Sequence, residues 1–121
     1  MSRQYTKSHE WIQKDDDLYV IGITDYAQEE LGDIVFINLP NVGDEVVAEE
    51  PLADVESVKA VSDIFSPYTG RIAEVNEELL DSPELINQSP YEAWIVKLED
   101  VSDGIELLDE AEYLAFVEQE G

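Results

Sequence analysis

Apolar and polar residues alternate with a period of two over most of the chain, the spacing of strands that bury one face. Trp11-Ile12 and Leu18 to Ile23 predict two strands joined by a turn at Asp15-Asp16-Asp17. Asp25 to Gly32 predicts one short helix, with Asp25 capping its first turn, Gln28 at the capping-box position and Gly32 closing its end. A strand over Asp33 to Leu39 then meets a turn at Pro40-Asn41. From Val46 to Val75 the pattern reads strand, turn, strand. Pro51 and Pro67 interrupt it, and Gly70 is expected to hold a backbone conformation that other residues resist. Asn76 to Asn87 reads as a loop with one helical turn, and Trp94 to Leu98 as a further strand. Leu107, Leu108, Ala111, Leu114 and Ala115 fall at helical spacing, so an amphipathic helix is expected at the end, with its start signalled by Asp103 and Glu106. Many short strands separated by turns predict a mainly β fold, a β-sandwich or flattened barrel with small helices and a C-terminal helix. No repeat of 20 to 50 residues is visible.

Length adds that residues 1–121 suit one domain with one core. Apolar runs such as Ile34 to Ile37 are far too short to span a bilayer. Met1 to Glu10 is polar, unlike a signal peptide, which predicts a bacterial or archaeal cytoplasm, or a mitochondrial matrix after loss of a presequence. The absence of cysteine excludes disulfides, a thiol nucleophile and thiolate metal sites.

Charge changes the picture most. Thirty Asp and Glu against six Lys and Arg leave a net charge of −24. Such a surface disfavours nucleic acid and anionic membranes, whose phosphates need clustered cations. It favours solubility and docking onto basic surfaces, and it suggests adaptation to high salt. The three acids at 15–17 lack the spacing of a calcium loop, so a solvated hairpin is expected there. His9 is the lone histidine. It could serve as a base, but a hydrogen-bonded structural role is expected, and zinc is improbable without further ligands. Asn87-Gln88-Ser89 fits the glycosylation pattern but is followed by Pro90. No nucleotide-binding or nucleophile-elbow motif is present, so a catalytic residue is not expected.

One lysine stands apart from Lys7, Lys14 and Lys97. Lys59 lies within Asp54-Val55-Glu56-Ser57-Val58-Lys59-Ala60-Val61-Ser62-Asp63, which is strand-like on both sides and has no Gly or Pro at the crossing. If the chain reverses there, a single ammonium stands at the tip of a stiff hairpin, open to acylation. Spacing alone is equally consistent with Lys59 balancing Glu56 and Asp63 across a strand pair, a contact worth about 0.2–1 kcal/mol.

The chain resembles the glycine cleavage H proteins over almost its whole length. The likeness rests on Ser8-His9-Glu10-Trp11, Gly22-Ile23-Thr24-Asp25-Tyr26-Ala27-Gln28, Leu31-Gly32-Asp33-Ile34-Val35-Phe36, Glu56 to Asp63 and Glu84-Leu85-Ile86-Asn87, in that order. The resemblance implies a lipoyl/biotinyl-carrier type of fold, monomeric, with lipoate joined to Lys59 as an amide. It implies that Glu56 and Gly70 are recognised by the lipoate-attaching enzyme, and that Ser8, Glu10 and Asp63 line a cleft for the loaded arm. It further implies shuttling of an aminomethyl group from glycine decarboxylase to an aminomethyltransferase, followed by reoxidation by dihydrolipoyl dehydrogenase. A dithiolane brought by the cofactor would explain sulfur chemistry in a cysteine-free chain. Val58 and Ala60 flank Lys59 where biotin domains carry methionines. The alternatives are an H-like lipoyl carrier serving another complex or a lipoate relay, or an unmodified acidic interaction module. The chain departs from the family pattern at Glu49 and Ala53, where glycines are common, and near Tyr91 to Trp94. A positive φ at Glu49 would strain the backbone.

Overall fold

The computed structural model describes residues 3–120. The expected domain limits at residues 1 and 121 lie outside the described residues. The described residues form nine strands and four helices. Strands β1 (Gln4–Tyr5), β2 (Glu10–Asp15), β3 (Leu18–Ile23), β5 (Glu45–Val46), β8 (Tyr68–Val75) and β9 (Val96–Gly104) form one antiparallel sheet in the order β1-β2-β3-β9-β8-β5. Strands β4 (Ile34–Asn38), β6 (Pro51–Ser57) and β7 (Val61–Phe65) form a second, ordered β4-β6-β7. The two sheets make a sandwich and do not close into a barrel.

Alternation along the strands sends one set of side chains between the sheets. Ile12, Ile21, Ile37, Val55, Ile64, Ile72 and Leu98 meet there in one buried cluster. The first half of strand β2 is buried on both faces. Ile12 faces the main core, whereas Trp11 joins Tyr5 and Tyr113 in a second cluster under the last helix, α4 (Glu110–Glu120).

Helix α1 (Asp25–Leu31) is capped by Thr24 rather than Asp25: the Thr24 hydroxyl accepts from the Ala27 amide at 3.2 Å. Asp25 is already helical, and its carboxylate accepts from the Gln28 side chain instead. Gly32 ends the helix as expected, at φ 80°. Gly70 does not carry the special backbone conformation expected of it. Its requirement is space, because a Cβ there would lie 2.9 Å from the Glu99 carbonyl oxygen. The stretch after β8 holds two short helices, α2 (Glu78–Asp81) and α3 (Leu85–Gln88), because Leu79 and Ile86 each have core space to fill.

The strand expected over 94–98 begins at Val96 and runs on to Gly104, so Asp103 pairs with Thr69 instead of starting a helix. Asp109 starts it instead. Its carboxylate accepts from the Glu112 amide, and the Glu112 carboxylate accepts from the Asp109 amide. The buried side of α4 is also not the expected one. Tyr113, Phe116 and Val117 face inward, while Ala111, Leu114 and Ala115 face solvent. Aromatic partners decide this, since Tyr113 stacks on Tyr5 with ring centroids 4.7 Å apart.

Asn87 knits the α1–β4 junction. Its Oδ1 accepts from the Ile34 amide at 2.9 Å, and its Nδ2 donates to the Gly32 carbonyl and to Gln28 Oε1. Replacing it strands backbone groups in a partly buried place. Asn87→Ala is therefore expected to lower unfolding free energy by about 2 kcal/mol, read as a lower urea midpoint with an unchanged m-value.

Candidate functional site

The turn between β6 and β7 spans Ser57 to Ala60 and has Lys59 at its tip. A turn without glycine needs other support, and Ser57 supplies it. Its hydroxyl accepts from the amides of Lys59 and Ala60, both at 3.1 Å, and donates to the Ala60 carbonyl. The Val58 amide donates to the Asp33 carbonyl at 3.0 Å, which fastens the turn to the end of α1. Lys59 is exposed, and its methylene stem runs beside Gly32, where a Cβ would come within 3.4 Å of Lys59 Cε. The apolar stem is thus supported while the amine stays in water.

Strand β7 leads from this tip to a cleft of about 550 Å³. Phe65, Ile105 and Leu108 give it apolar walls, and Ser8, Glu10 and Ser66 add polar groups. Lys7, Glu49 and Glu106 are the exposed, charged members of the lining. Glu10 arrives there because it shares the inward face of β2 with Ile12, two residues along.

Glu10 is only 2% exposed. Its Oε1 accepts from the hydroxyls of Thr6 and Ser8, both at 2.6 Å, whereas Oε2 has one long contact, 3.4 Å from the Phe65 amide. Burial pushes the carboxyl above its usual 4.5, and the hydrogen bonds from Ser8, Thr6 and Phe65 oppose that shift. Oε2 therefore keeps acceptor capacity on the lining of the cleft, the arrangement that suits an ammonium or other cationic donor.

The sequence-named residues divide. Ser8 and Glu10 come together in the cleft. Asp63 is not among the residues that line it. It lies exposed on β7, two residues before Phe65 on the same face. Glu56 pairs with Val61 at the base of the turn, whereas Gly70 is in the other sheet, paired with Val46. His9, at φ 72°, makes a 2.9 Å hydrogen bond through Nδ1 with the Tyr113 hydroxyl and packs against Tyr26, as a structural histidine does. Glu49 does hold a positive φ, 73°, with its amide bonded to the Ser66 carbonyl. Among the described residues no group of His, Asp and Glu is placed to hold a metal ion.

Sequence reasoning missed three contributors. Thr6 completes the Glu10 cradle and is fully buried. Its signal was the four-residue spacing to Glu10 across a turn. Ser57 shapes the tip, and a serine two residues before an exposed lysine was available to be read as a turn former. Asn87 stood in a quoted block, but its bonds span 53 and 59 residues and left no local trace.

Comparison with known proteins places the chain among relatives. The family model described as Glycine cleavage H-protein matches residues 3–120. A glycine cleavage system H protein of Lachnoclostridium phytofermentans is 55% identical over 117 residues, 96% of this chain and 92% of that one. One from Vibrio parahaemolyticus is 56% identical over 121 residues, 97% and 96% of the respective chains. The crystal structure of a glycine cleavage system H protein from Mycobacterium marinum superposes with a TM-score of 0.88 at 41% identity, covering 94% of each chain.

The raised Glu10 carboxyl has a pH signature. Its pKa is higher folded than unfolded, so the folded state binds more protons between about 4.5 and the raised value, and stability from this group falls as pH rises through that window. The stability of the native protein minus that of Glu10→Gln should therefore be largest below pH 4.5 and decline above it, as read by urea melts across pH.

Proposed function

The chain belongs to the glycine cleavage H-protein family, and from that membership we propose that Lys59 is the residue that carries lipoate, in amide linkage. The protein is a non-catalytic lipoyl carrier of the glycine cleavage system. One observation carries the assignment of Lys59: an exposed amine on a stiff, glycine-free turn, from which β7 runs into a cleft holding a buried carboxylate.

The residues present suit the group. The Lys59 amine is free to form an amide, and the stem beside Gly32 gives the attachment a fixed root. Bound lipoate would supply a dithiolane, the sulfur pair that carries the aminomethyl group and is afterwards reoxidised. From Val61 to Phe65 four strand rises cover roughly 13 Å, a span matched to a lysyl stem extended by a lipoyl chain. Phe65, Ile105 and Leu108 offer an apolar bed for hydrocarbon, and Asp63 lies along the line of approach on the same strand face. At the far end Glu10 Oε2 would accept from a cationic amine, with Ser8 as its neutral neighbour. Walls of this kind exclude water and so delay hydrolysis of the cargo. The hold must remain modest, because a carrier has to release what it brings.

The same reading makes Glu56 and Gly70 points of recognition for the lipoate-attaching enzyme. It names glycine decarboxylase, an aminomethyltransferase and dihydrolipoyl dehydrogenase as successive partners of a cytoplasmic monomer. Visiting several enzymes in turn calls for weak, electrostatically steered encounters, which a net charge of −24 favours.

Lys59→Arg should abolish lipoylation while leaving the melting temperature unchanged, because the tip packs little core. Intact mass and a thermal melt read both, and a lipoyl increment on that variant would overturn the assignment. Glu10→Ala should still accept lipoate but lose the aminomethyl group to water several-fold faster than the native protein, measured as formaldehyde release from the loaded carrier. An unchanged rate would remove Glu10 from the protective role.

A further inference from the structure

The outward face of the small sheet carries apolar side chains that the core does not use. Register aligns Phe36, Glu56 and Val61 in one row across β4, β6 and β7, and Asn38, Asp54 and Asp63 in the next. Val35, Phe36, Val58 and Val61 are between 49% and 66% exposed. Two of them are consecutive, which a regular strand forbids on one face. A β-bulge explains it: between Ile34 and Phe36 the pairing with β6 slips, so Ile34 opposes Ser57 and Phe36 opposes Glu56, leaving Val35 as the extra residue. The bulge turns Val35 and Phe36 outward together, beside the Lys59 turn.

Apart from Lys59 itself, the charges around this patch are negative. Asp54, Glu56 and Asp63 lie on its rows, and β4, β6 and β7 contain no Lys or Arg. Asp54 and Asp63 are directly opposed, a like-charge pair that a cationic partner would relieve; Asn38 Nδ2 donates to Asp54 Oδ1 at 2.6 Å but brings no charge. A second copy of this chain is a poor occupant, because both faces would be acidic. A partner with an apolar contact ringed by Lys and Arg is the complement.

We infer that this face, centred on Phe36 and Val61, is the docking surface for the enzyme that acylates Lys59. The inference rests on the reading of Lys59 as the tethering point. Reach selects the acylating enzyme among the partners. Enzymes that act on the finished arm meet its far end, but the acylating enzyme must bring its donor to Lys59 Nζ itself and so must cover the residues around the turn. In that step the unprotonated Nζ attacks the carbonyl of an acyl adenylate. The amide C–N bond forms, the acyl C–O bond to phosphate breaks, AMP leaves with the electron pair, and the proton from nitrogen passes to solvent.

The test is the kcat/KM of lipoylation by an ATP-dependent lipoate ligase, on the full chain. Phe36→Ser and Val61→Thr are compared with Val42→Ser, which alters an equally exposed valine in the loop after β4. Val61→Thr keeps a β-branched shape, so it tests the surface even if Phe36→Ser fails to fold. We expect about a tenfold loss for the two patch variants, carried by KM, as for a central interface contact, with Val42→Ser at the native rate. Added salt should weaken the native reaction. Equal rates for the native chain and both patch variants would overturn the docking surface while leaving Lys59 as the tether. Equal losses in all three variants would overturn it as well. A dimer abolished by Val61→Thr would instead assign the face to self-association. A native chain that takes no lipoate would fail the reading of Lys59 itself.

Discussion

The turn that presents Lys59 depends on how the Ser57 hydroxyl closes it. It satisfies two amides and a carbonyl within four residues, which lets a reversal without glycine be both tight and rigid. The bond from Val58 to Asp33 then fixes this turn to the end of α1, and Asn87 fixes that end to β4 and α3. A flexible group gains from a rigid root, because the volume it sweeps is then set by its own length and not by the motion of its support.

Electrostatics divides the molecule into a general rule and one exception. Nearly all of its many carboxylates stay at the surface, where water solvates them cheaply. Glu10 is taken inside, and burial raises its pKa, so part of the fold's stability is given up to keep a carboxylate in the cleft. Thr6 and Ser8 recover some of that cost while leaving Oε2 little engaged. Glu49, held at positive φ beside the same cleft, is a second local concession. The buried carboxylate and the strained Glu49 thus border the same cleft, a pattern expected where function overrides stability.

Much of this was legible in the residues. Period-two alternation located the strands because burial on one face leaves a local imprint, and the resemblance of several ordered blocks supplied the family. The Asp15 to Asp17 hairpin and the reversal at Lys59 could be read from what surrounds them. What failed to show depended on partners distant in the chain. The inward side of α4 is selected by stacking of Tyr113 on Tyr5, so helical spacing of Ala111, Leu114 and Ala115 misled. Thr24 outcompetes Asp25 as the cap while its hydroxyl also meets Tyr113 at 2.7 Å. Gly70 looked like a conformational requirement but is a steric one imposed by β9. The cleft is likewise a product of assembly, since Glu10, Phe65 and Leu108 come from three separate stretches.

The hydroxyl of Tyr113 touches both His9 and Thr24, so the last helix is bound to the residue just before α1 and to the one just before the strand that delivers Glu10. Cutting the chain ahead of that tyrosine, by a protease or by an engineered stop codon, would do more than trim a tail. It would remove the anchor from a helix cap 89 residues upstream and open the aromatic cluster behind Trp11. A fusion tag joined beyond α4 keeps that anchor in place, and so respects the architecture where a cut ahead of Tyr113 would not.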